Sequence, residues 1–505
     1  MRLHVANKEE GLSFSPSLQE IHMFNNITGQ KGTARFAVKS DFGTFEETVD
    51  FSKHVYVGKN LPESVGNSQQ DIIAETKKNV SVFGGTGSAK TTAIIDTNIL
   101  IRQTSFFAID PKGSSFRRLA PYLKARGYYV HCLAPFTPEL SCSINPLDGL
   151  TTEDPEYVDF IELLVAALII VSASDPHWGN SARRLVAGLF AYVVETPGEE
   201  ASLGRVMEIL CSGLGVITKI AKAVAIDTTT YRSDSLTRRK LARFAELTSD
   251  NREAQSIMST ALTEMNFLDS TAICQCLSKS DFSFEDLVDP NKKVAVFLII
   301  PSEKLETYNR FSRLMVSMAI NTISRIGGDP DRPIDLYIDE AGTIGHLPIL
   351  SQGVALMRER GMRFWTVFQS LSQLQRDYPS DWKNFIGNSN PIFLLDVMDS
   401  DEAEDFSKML GETTLEMKNG QEYSQDVSDL PYMLQNRFNC HYKWINTSEQ
   451  IHGTSSRPLM TPEELRRLPE NVGIVITDGH PAVFVKAKCY EAEPFCNVIP
   501  KNHIR

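Results

Sequence analysis

The sequence predicts an α/β fold interrupted by an all-helical segment, and three features carry that prediction. The run Val80-Ser-Val-Phe-Gly-Gly-Thr-Gly-Ser-Ala-Lys-Thr-Thr92 takes a β-rich stretch through a glycine loop into a helical pattern. Apolar runs of strand length alternate with helix-spaced segments on both sides of the middle of the chain, as expected where strands are covered by the helices that connect them. From Thr151 to about Glu285 the strand runs vanish and one helical pattern follows another. At 505 residues the chain exceeds one ordinary domain. The shifts in pattern divide it into a lead-in with the first part of a nucleotide-binding domain (1–150), an inserted all-α domain (151–285) and the second part of the nucleotide-binding domain (286–505).

The glycine loop has the pattern of a phosphate cradle. Gly84, Gly85 and Gly87 permit dihedrals that turn successive N–H groups onto an anion, and the helix that follows adds its positive end. The spacing G-x-x-x-x-G-K-[ST] gives Gly84, Gly85, Thr86, Gly87, Ser88, Ala89, Lys90, Thr91 and Thr92 to the phosphates of a nucleotide, with Lys90 on the β- and γ-phosphates and the Thr91 hydroxyl on Mg2+. Ala89 stands where that pattern has its second glycine, and so puts a methyl group where the backbone needs most freedom.

Ahead of the loop, Gly32–Val38 and His54–Val57 read as short strands in a polar lead-in. Behind it, Ile94, Ile95, Ile99 and Leu100 are helix-spaced. Phe106–Asp110 is a buried strand ending on a carboxylate, and a helix (Phe116–Arg126) and a strand (Tyr128–Leu133) continue to Asn145-Pro-Leu-Asp148. Helical patterns then span Tyr157–Ser172, Ser181–Val194, Leu203–Cys211, Val216–Val224, Thr237–Glu246 and Asn251–Met265. Strands return at Val294–Ile300, Leu336–Glu340, Phe364–Phe368, Ile392–Asp396, Gly473–Thr477 and Val483–Val485, with helices at about Asn309–Ile326, Ile349–Glu359 and Asp401–Leu410. Glu412–Pro458 lacks periodicity and reads as a loop region.

Composition excludes several classes. The net charge of −12 rules out a globally basic nucleic-acid coat, so any DNA contact must be local. The eight cysteines are scattered, and Cys274 with Cys276 has neither metal-ligand spacing nor a second pair, which leaves reduced thiols. Residues 1–10 carry a charge every few positions and no apolar signal core. The most apolar stretch, Leu163–Ala173, is about half the ~20 residues a bilayer requires. With Asp159 and Glu162 just upstream, it reads as a buried core helix.

A second half-site lies downstream. Ile334-Asp-Leu-Tyr-Ile-Asp-Glu340 is an apolar run ending in paired carboxylates, which suits Asp339 to a hold on Mg2+ and Glu340 to polarising an attacking water. Asp110-Pro-Lys-Gly113 either brings a charge beside the nucleotide or simply reverses the chain. Gln369 ends a strand as either a γ-phosphate sensor or a turn residue. Arg358, Arg360 and Arg363 offer either an arginine finger for a neighbouring subunit or a solvated basic helix end. In the helical segment, Arg183-Arg184, Arg238-Arg-Lys240 and Arg243 form either a contact face for phosphate or an acidic partner, or solvated helix faces. Trp178, at a helix entrance, reads as a core or staple residue rather than a base-stacking platform.

The order of blocks resembles the coupling proteins of type IV secretion and conjugation systems, the VirD4/TraG-like ATPases. Gly32-Thr-Ala-Arg-Phe-Ala37, the phosphate loop, Asp110-Pro-Lys-Gly113, Asn145-Pro-Leu-Asp148, Asp339-Glu340, Arg358-Glu-Arg-Gly361, Gln369-Ser-Leu-Ser-Gln-Leu374 and Arg457-Pro-Leu-Met-Thr-Pro-Glu-Glu464 carry the likeness, from about Lys31 to Tyr490. The resemblance implies a RecA-like P-loop NTPase domain, related to the FtsK/HerA DNA pumps, with an inserted all-α domain. It implies a homohexamer with ATP and Mg2+ at subunit interfaces and a channel for single-stranded DNA. It further implies delivery of a DNA–relaxase complex or protein effectors to a secretion channel and its ATPases. Lys90 and Thr91 then bind phosphates and Mg2+, Asp339 and Glu340 complete the hydrolytic site, Gln369 senses the γ-phosphate, and Arg358 is the finger in trans.

The chain departs from the family in lacking a pair of transmembrane helices ahead of the Gly-x-Ala-Arg block. The expectation is a soluble form held at the inner face of the cell membrane by a separate anchor protein, or a soluble portion of a longer protein. Ala89 is the second departure, compatible with nucleotide binding and slow turnover. Two other readings stand beside the coupling motor: a nucleotide-gated docking adaptor with little turnover, and an FtsK/HerA-like translocase outside secretion.

Overall fold

The computed structural model describes residues 3–5, 33–37, 43–44, 51–60, 71–172, 175–246, 251–418, 421–423 and 453–488. Its strands are β1 (Leu3–Val5), β2 (Gly43–Thr44), β3 (His54–Lys59), β4 (Asp71–Glu75), β5 (Asn79–Gly84), β6 (Phe106–Ile109), β7 (Tyr129–Leu133), β8 (Val294–Leu298), β9 (Ile334–Ile338), β10 (Met362–Phe368), β11 (Ser389–Asp396), β12 (Glu412–Lys418), β13 (Gln421–Tyr423), β14 (Gly453–Pro458), β15 (Val472–Ile476) and β16 (Ala482–Val485). Helices α1 (Asp96–Ile101) and α2 (Ser114–Ala125) follow the phosphate loop. The helical segment holds α3 (Tyr157–Leu168), α4 (Pro176–Glu195), α5 (Leu203–Cys211), α6 (Leu214–Ile226), α7 (Leu236–Leu241), α8 (Arg252–Met265) and α9 (Thr271–Cys276). Beyond it come α10 (Asn309–Ile326), α11 (Pro348–Leu356), α12 (Leu371–Asp377), α13 (Trp382–Gly387) and α14 (Ser400–Leu410).

One 13-stranded sheet has the order β2-β1-β4-β3-β16-β15-β11-β5-β10-β9-β6-β8-β7. From β11 to β7 every pairing is parallel, and β15 joins β11 antiparallel. Parallel strands covered on both faces are apolar at every position, and alternate residues feed opposite cores. Val80 and Val82 pack with Ile94, Ile99, Leu119 and Leu123 beneath α1 and α2, whereas Phe83 joins the core shared with α10 and the helical segment. Trp365 and Val367 point to the first core, Phe364 and Phe368 to the second.

The helical segment departs after β7 and returns before β8, two hydrogen-bonded neighbours, so the sheet closes without it. Its entry and exit strap together: Ile144 N donates to Cys276 O at 2.8 Å and Asp281 N to Ser143 O at 2.9 Å. Among the described residues no single helix is long and apolar enough to cross a membrane. The apolar stretch that begins at Leu163 is helical only as far as Leu168, where α3 ends short of the expected Ser172; Ile161, Leu164, Val165 and Leu168 are buried as expected of a core helix, whereas Ile170 beyond it is 43% exposed.

Several expected boundaries move for local reasons. Thr33–Ala37 forms no ladder: Thr33 makes one bridge to Thr413, Ala34 N donates to Glu412 O and Ala37 N to Pro481 O, so the segment threads between two elements instead of pairing with one. Gly32 and Val38 lie outside the described residues. The aperiodic Glu412–Pro458 holds the antiparallel pair β12 and β14 at its two ends, in register from Glu412 opposite Pro458 to Met417 opposite Gly453. These strands are largely Thr, Ser and Glu, so no apolar alternation announced them. Residues 424–452 lie outside the description. The helix expected over Thr237–Glu246 ends at Leu241 and continues as a tighter turn, Ala242–Ala245.

Candidate nucleotide-binding site

Because β5, β6, β9, β10 and β11 run parallel, the residues that follow them collect along one edge of the sheet, where open α/β sheets bind ligands. Gly84 ends β5, Asp110 follows β6, Asp339 and Glu340 follow β9, Gln369 follows β10, and Asp396 ends β11. The phosphate loop and the downstream acids, about 250 residues apart in sequence, meet directly: Thr91 Oγ1 donates to Asp339 Oδ2 at 2.7 Å. Gln369 Nε2 donates to Glu340 Oε1 at 2.7 Å.

The loop is folded over its own lysine. Lys90 Nζ donates to Gly84 O (2.5 Å) and Gly85 O (2.7 Å), and Ser88 Oγ also donates to Gly85 O (2.8 Å). Burial lowers the Lys90 pKa, and Asp339, Glu340 and Asp396 partly restore it. Thr86 and Gly87 are exposed at the loop tip. Ala89 has φ 67° and ψ 22°, a left-handed conformation that costs an L-residue roughly 1 kcal/mol or more relative to glycine. The chain continues from it into a π-helical turn, Lys90–Ile95, before α1 begins, a departure that recurs at functional sites. The methyl group noted in the sequence is thus a strained backbone.

Glu340 is the other non-glycine residue with positive φ among the described residues, at 61°. The β9 ladder ends at Ile338, and this left-handed turn follows it. Burial pushes the Asp339 carboxyl up to about 6, against the hydrogen bond from Thr91 and the charge of Lys90. Carboxylate and hydroxyl are hard oxygen donors of the kind Mg2+ takes beside a phosphate, and they stand in direct contact next to the lysine, so the donor set fits that ion.

Residues that the sequence reading did not single out complete the neighbourhood. Gln373, one helical turn beyond Gln369, accepts from Gln369 N at 2.9 Å. Its side chain lies so close to Gly342 that an added Cβ there would meet Nε2 at 2.0 Å, tying the end of β10 to the acidic turn. Glu402 of α14, 4% exposed, accepts from Leu371 N at 2.7 Å, and burial lifts its pKa to about 7. Asp396 comes so near Gly85 that a Cβ there would lie 3.0 Å from its Oδ2. Lys486, just past β16, donates to Leu395 O (2.6 Å) and Glu470 O (2.8 Å), and burial lowers its pKa to about 8. Asp396 was open to the same inference as Asp339, since both close a buried strand on a carboxylate. Lys486 had no such signal.

The two-way readings of the sequence divide. Asp110 accepts from Ser114 N (3.1 Å) and Phe116 N (2.8 Å), so it caps the start of α2, while exposed Lys112 lies close enough to depress the Lys90 pKa. Arg363 is neither finger nor solvated end: it is fully buried, with Nε 2.6 Å from Asp335 Oδ1. Arg358 and Arg360 are exposed in the turn that precedes β10, at the opposite edge of the sheet from the phosphate loop. Arg358 therefore cannot serve its own chain's nucleotide.

The basic clusters of the helical segment are largely engaged within it. Arg183 donates to Ile169 O and Ala166 O, Arg184 to Arg239 O and Lys240 O, and Arg238 to Tyr231 O and Ala225 O. Lys240 pairs with Glu162 and Arg243 with Glu253. The contact-face reading loses most of its residues to these bonds. Trp178 is half-buried against the main core, as expected.

Comparison with known proteins places this arrangement. The family described as "Type IV secretory system Conjugative DNA transfer" matches residues 34–504. Conjugal transfer protein TraG of Rhizobium radiobacter is 24% identical over 417 residues, 79% of this chain and 60% of that protein. Protein VirD4 of Agrobacterium fabrum is 24% identical over 434 residues, 82% of this chain and 58% of that protein. The chain thus spans about 60% of the length of these relatives. Among solved structures, the plasmid coupling protein TrwB in complex with the ATP analogue ADPNP superposes with a TM-score of 0.61 at 15% identity, covering 84% of this chain and 87% of that one. TrwB with ADP and Mg2+ gives 0.56 at 16% identity, covering 83% and 87%. The fold is that of a RecA-like P-loop NTPase domain with an all-α domain, and the chain belongs to the type IV secretory system conjugative DNA transfer family.

Proposed function

We propose that this chain is an ATP-driven coupling protein that recruits DNA–relaxase complexes or protein effectors and delivers them to a type IV secretion system, working as a homohexameric DNA-translocating motor. The observation that carries the reading is the contact of Thr91 with Asp339 beside Lys90, with Gln369 on Glu340: cradle, metal arm, hydrolytic acid and sensor converge on one sheet edge. Family membership supplies the secretion context.

On nucleotide entry, Lys90 exchanges the carbonyls of Gly84 and Gly85 for phosphate oxygens, and the loop N–H groups turn inward. Thr91 and Asp339 would hold Mg2+, which when bound would neutralise negative charge on the nucleotide phosphates. Glu340 accepts the proton of the attacking water, and its left-handed backbone aims the carboxylate off the end of β9. Gln369, which bonds Glu340, exchanges that bond for the γ-phosphate of a bound nucleotide, so that occupancy is relayed through Gln373 to the acidic turn. Arg358 reaches the nucleotide of the adjacent subunit, since its own lies across the sheet. Secretion-channel ATPases and a membrane anchor protein are the partners, with the ring at the inner face of the cell membrane.

Single-stranded DNA-stimulated ATP hydrolysis by wild type, Lys90→Ala and Glu340→Gln tests the motor. Turnover in wild type that falls at least a hundredfold in both variants supports it. Wild-type turnover no higher than that of the variants hands the assignment to a nucleotide-gated docking adaptor. The strained Ala89 favours that second reading.

A further inference from the structure

The Arg313 guanidinium on α10 is 2% exposed and bonds three backbone carbonyls at once. Nε donates to Ala167 O at 3.1 Å, and Nη1 to Ile344 O at 3.3 Å and His346 O at 2.5 Å. Ala167 is in the last turn of α3, the first helix of the inserted segment, whereas Ile344 and His346 sit just past the Asp339–Glu340 turn. Among the described residues no carboxylate pairs with Arg313. Its neighbour Arg310 takes Glu264 at 2.7 Å, and burial pushes the Arg313 pKa down to about 10.

A buried cation bonded only to backbone carbonyls, with the Glu264 carboxylate acting on it at a distance, is a costly way to satisfy a helix end. That end already has a cap, because Arg183 donates to Ile169 O through Nε (3.0 Å) and Nη2 (2.7 Å). What Arg313 adds is the bond to the loop after the hydrolytic turn. On its other side that loop is fixed by Tyr378, whose hydroxyl donates to Gly345 O (3.2 Å) and accepts from Leu347 N (3.3 Å). Tyr378 follows α12, which starts two residues beyond Gln369. One loop is therefore clamped between the inserted helices and the sensor helix.

We propose that Arg313 is a positioning residue that couples the inserted helical domain to the hydrolytic turn, so that displacement of α3 shifts the 344–346 loop and with it Glu340, and nucleotide at the turn is felt at α3. The inference rests on the nucleotide-site reading for its signal.

Hydrogen–deuterium exchange of the full chain with and without the ATP analogue AMPPNP and Mg2+ tests it, on wild type, Arg313→Met and the milder Arg313→Lys, which can engage one end of the link but not both. In wild type the analogue slows exchange at residues 84–92, 341–347 and 166–170. In Arg313→Met, or in Arg313→Lys should the first variant not fold, protection at 84–92 persists with analogue affinity within twofold, but the response at 166–170 is lost and kcat falls at least tenfold with KM little changed. An undiminished response at 166–170 in the variants overturns the coupling, as does its absence in wild type. No protection at 84–92 in wild type overturns instead the nucleotide reading beneath it.

Discussion

Asp335 and Asp339 lie on one strand run, four residues apart, and the two ends of β9 put the same side chain to opposite uses. Asp335 is fully buried at the entry end, 2.6 Å from Arg102 Nε and from Arg363 Nε, with Trp365 Nε1 donating at 2.9 Å. Burial alone would raise its pKa, but the two guanidinium groups hold it below the usual carboxylate range. Asp339 at the exit end is half-buried with a hydroxyl and a lysine for company, and burial lifts it to about 6. A carboxylate matched to buried arginines stabilises the fold that contains it. One left under-compensated beside a cradle is poised for a cation that arrives with the substrate.

The largest expected effect breaks the first site. Arg363→Met leaves Asp335 with a single arginine in the interior, and denaturant titration should show a loss of about 3–5 kcal/mol. Asp339→Asn should leave unfolding within ~1 kcal/mol of wild type, since it removes a carboxylate whose burial is only partly offset. Equal destabilisation by the two substitutions would erase the distinction.

Next in size is a pH effect at Glu402. A carboxyl whose folded pKa is raised from 4.5 to about 7 binds more protons folded than unfolded between those values, so its contribution to stability is highest at acid pH and declines as pH rises through that window. The decline amounts to ~3 kcal/mol if the full shift is realised. Glu402→Gln should flatten the difference between pH 4.5 and 7. A variant that tracks wild type across that range would show that Glu402 is not held protonated against Leu371.

The smallest effect is at Ala89. With φ at 67°, Ala89→Gly should stabilise the loop by about 1 kcal/mol and raise ATP turnover a fewfold. Unchanged stability would mean that the left-handed turn is relaxed in solution.

The parallel strands were legible in the sequence because burial on both faces leaves unbroken apolar runs; Lys90, Thr91, Asp339 and Gln369 stood out because loops at strand ends carry recognisable residue types, and the fold brings them to one sheet edge. What escaped it depends on distance in three dimensions. Nothing local separates Arg363 from Arg358, yet one lies in the core with Asp335 and the other is exposed on a turn. Arg183 and Arg238 looked like a charged face until the carbonyls they cap were in view. Polar β12 and β14 carried no apolar alternation to betray a ladder.

The central claim is that the exit edge of β9 receives a metal–nucleotide complex through Thr91 and Asp339. Calorimetric titration of AMPPNP into wild type and Asp339→Asn, each with and without Mg2+, tests it directly. The account predicts binding at least tenfold tighter with Mg2+ in wild type and no such gain in the variant. A Mg2+ gain of the same size in Asp339→Asn would contradict it.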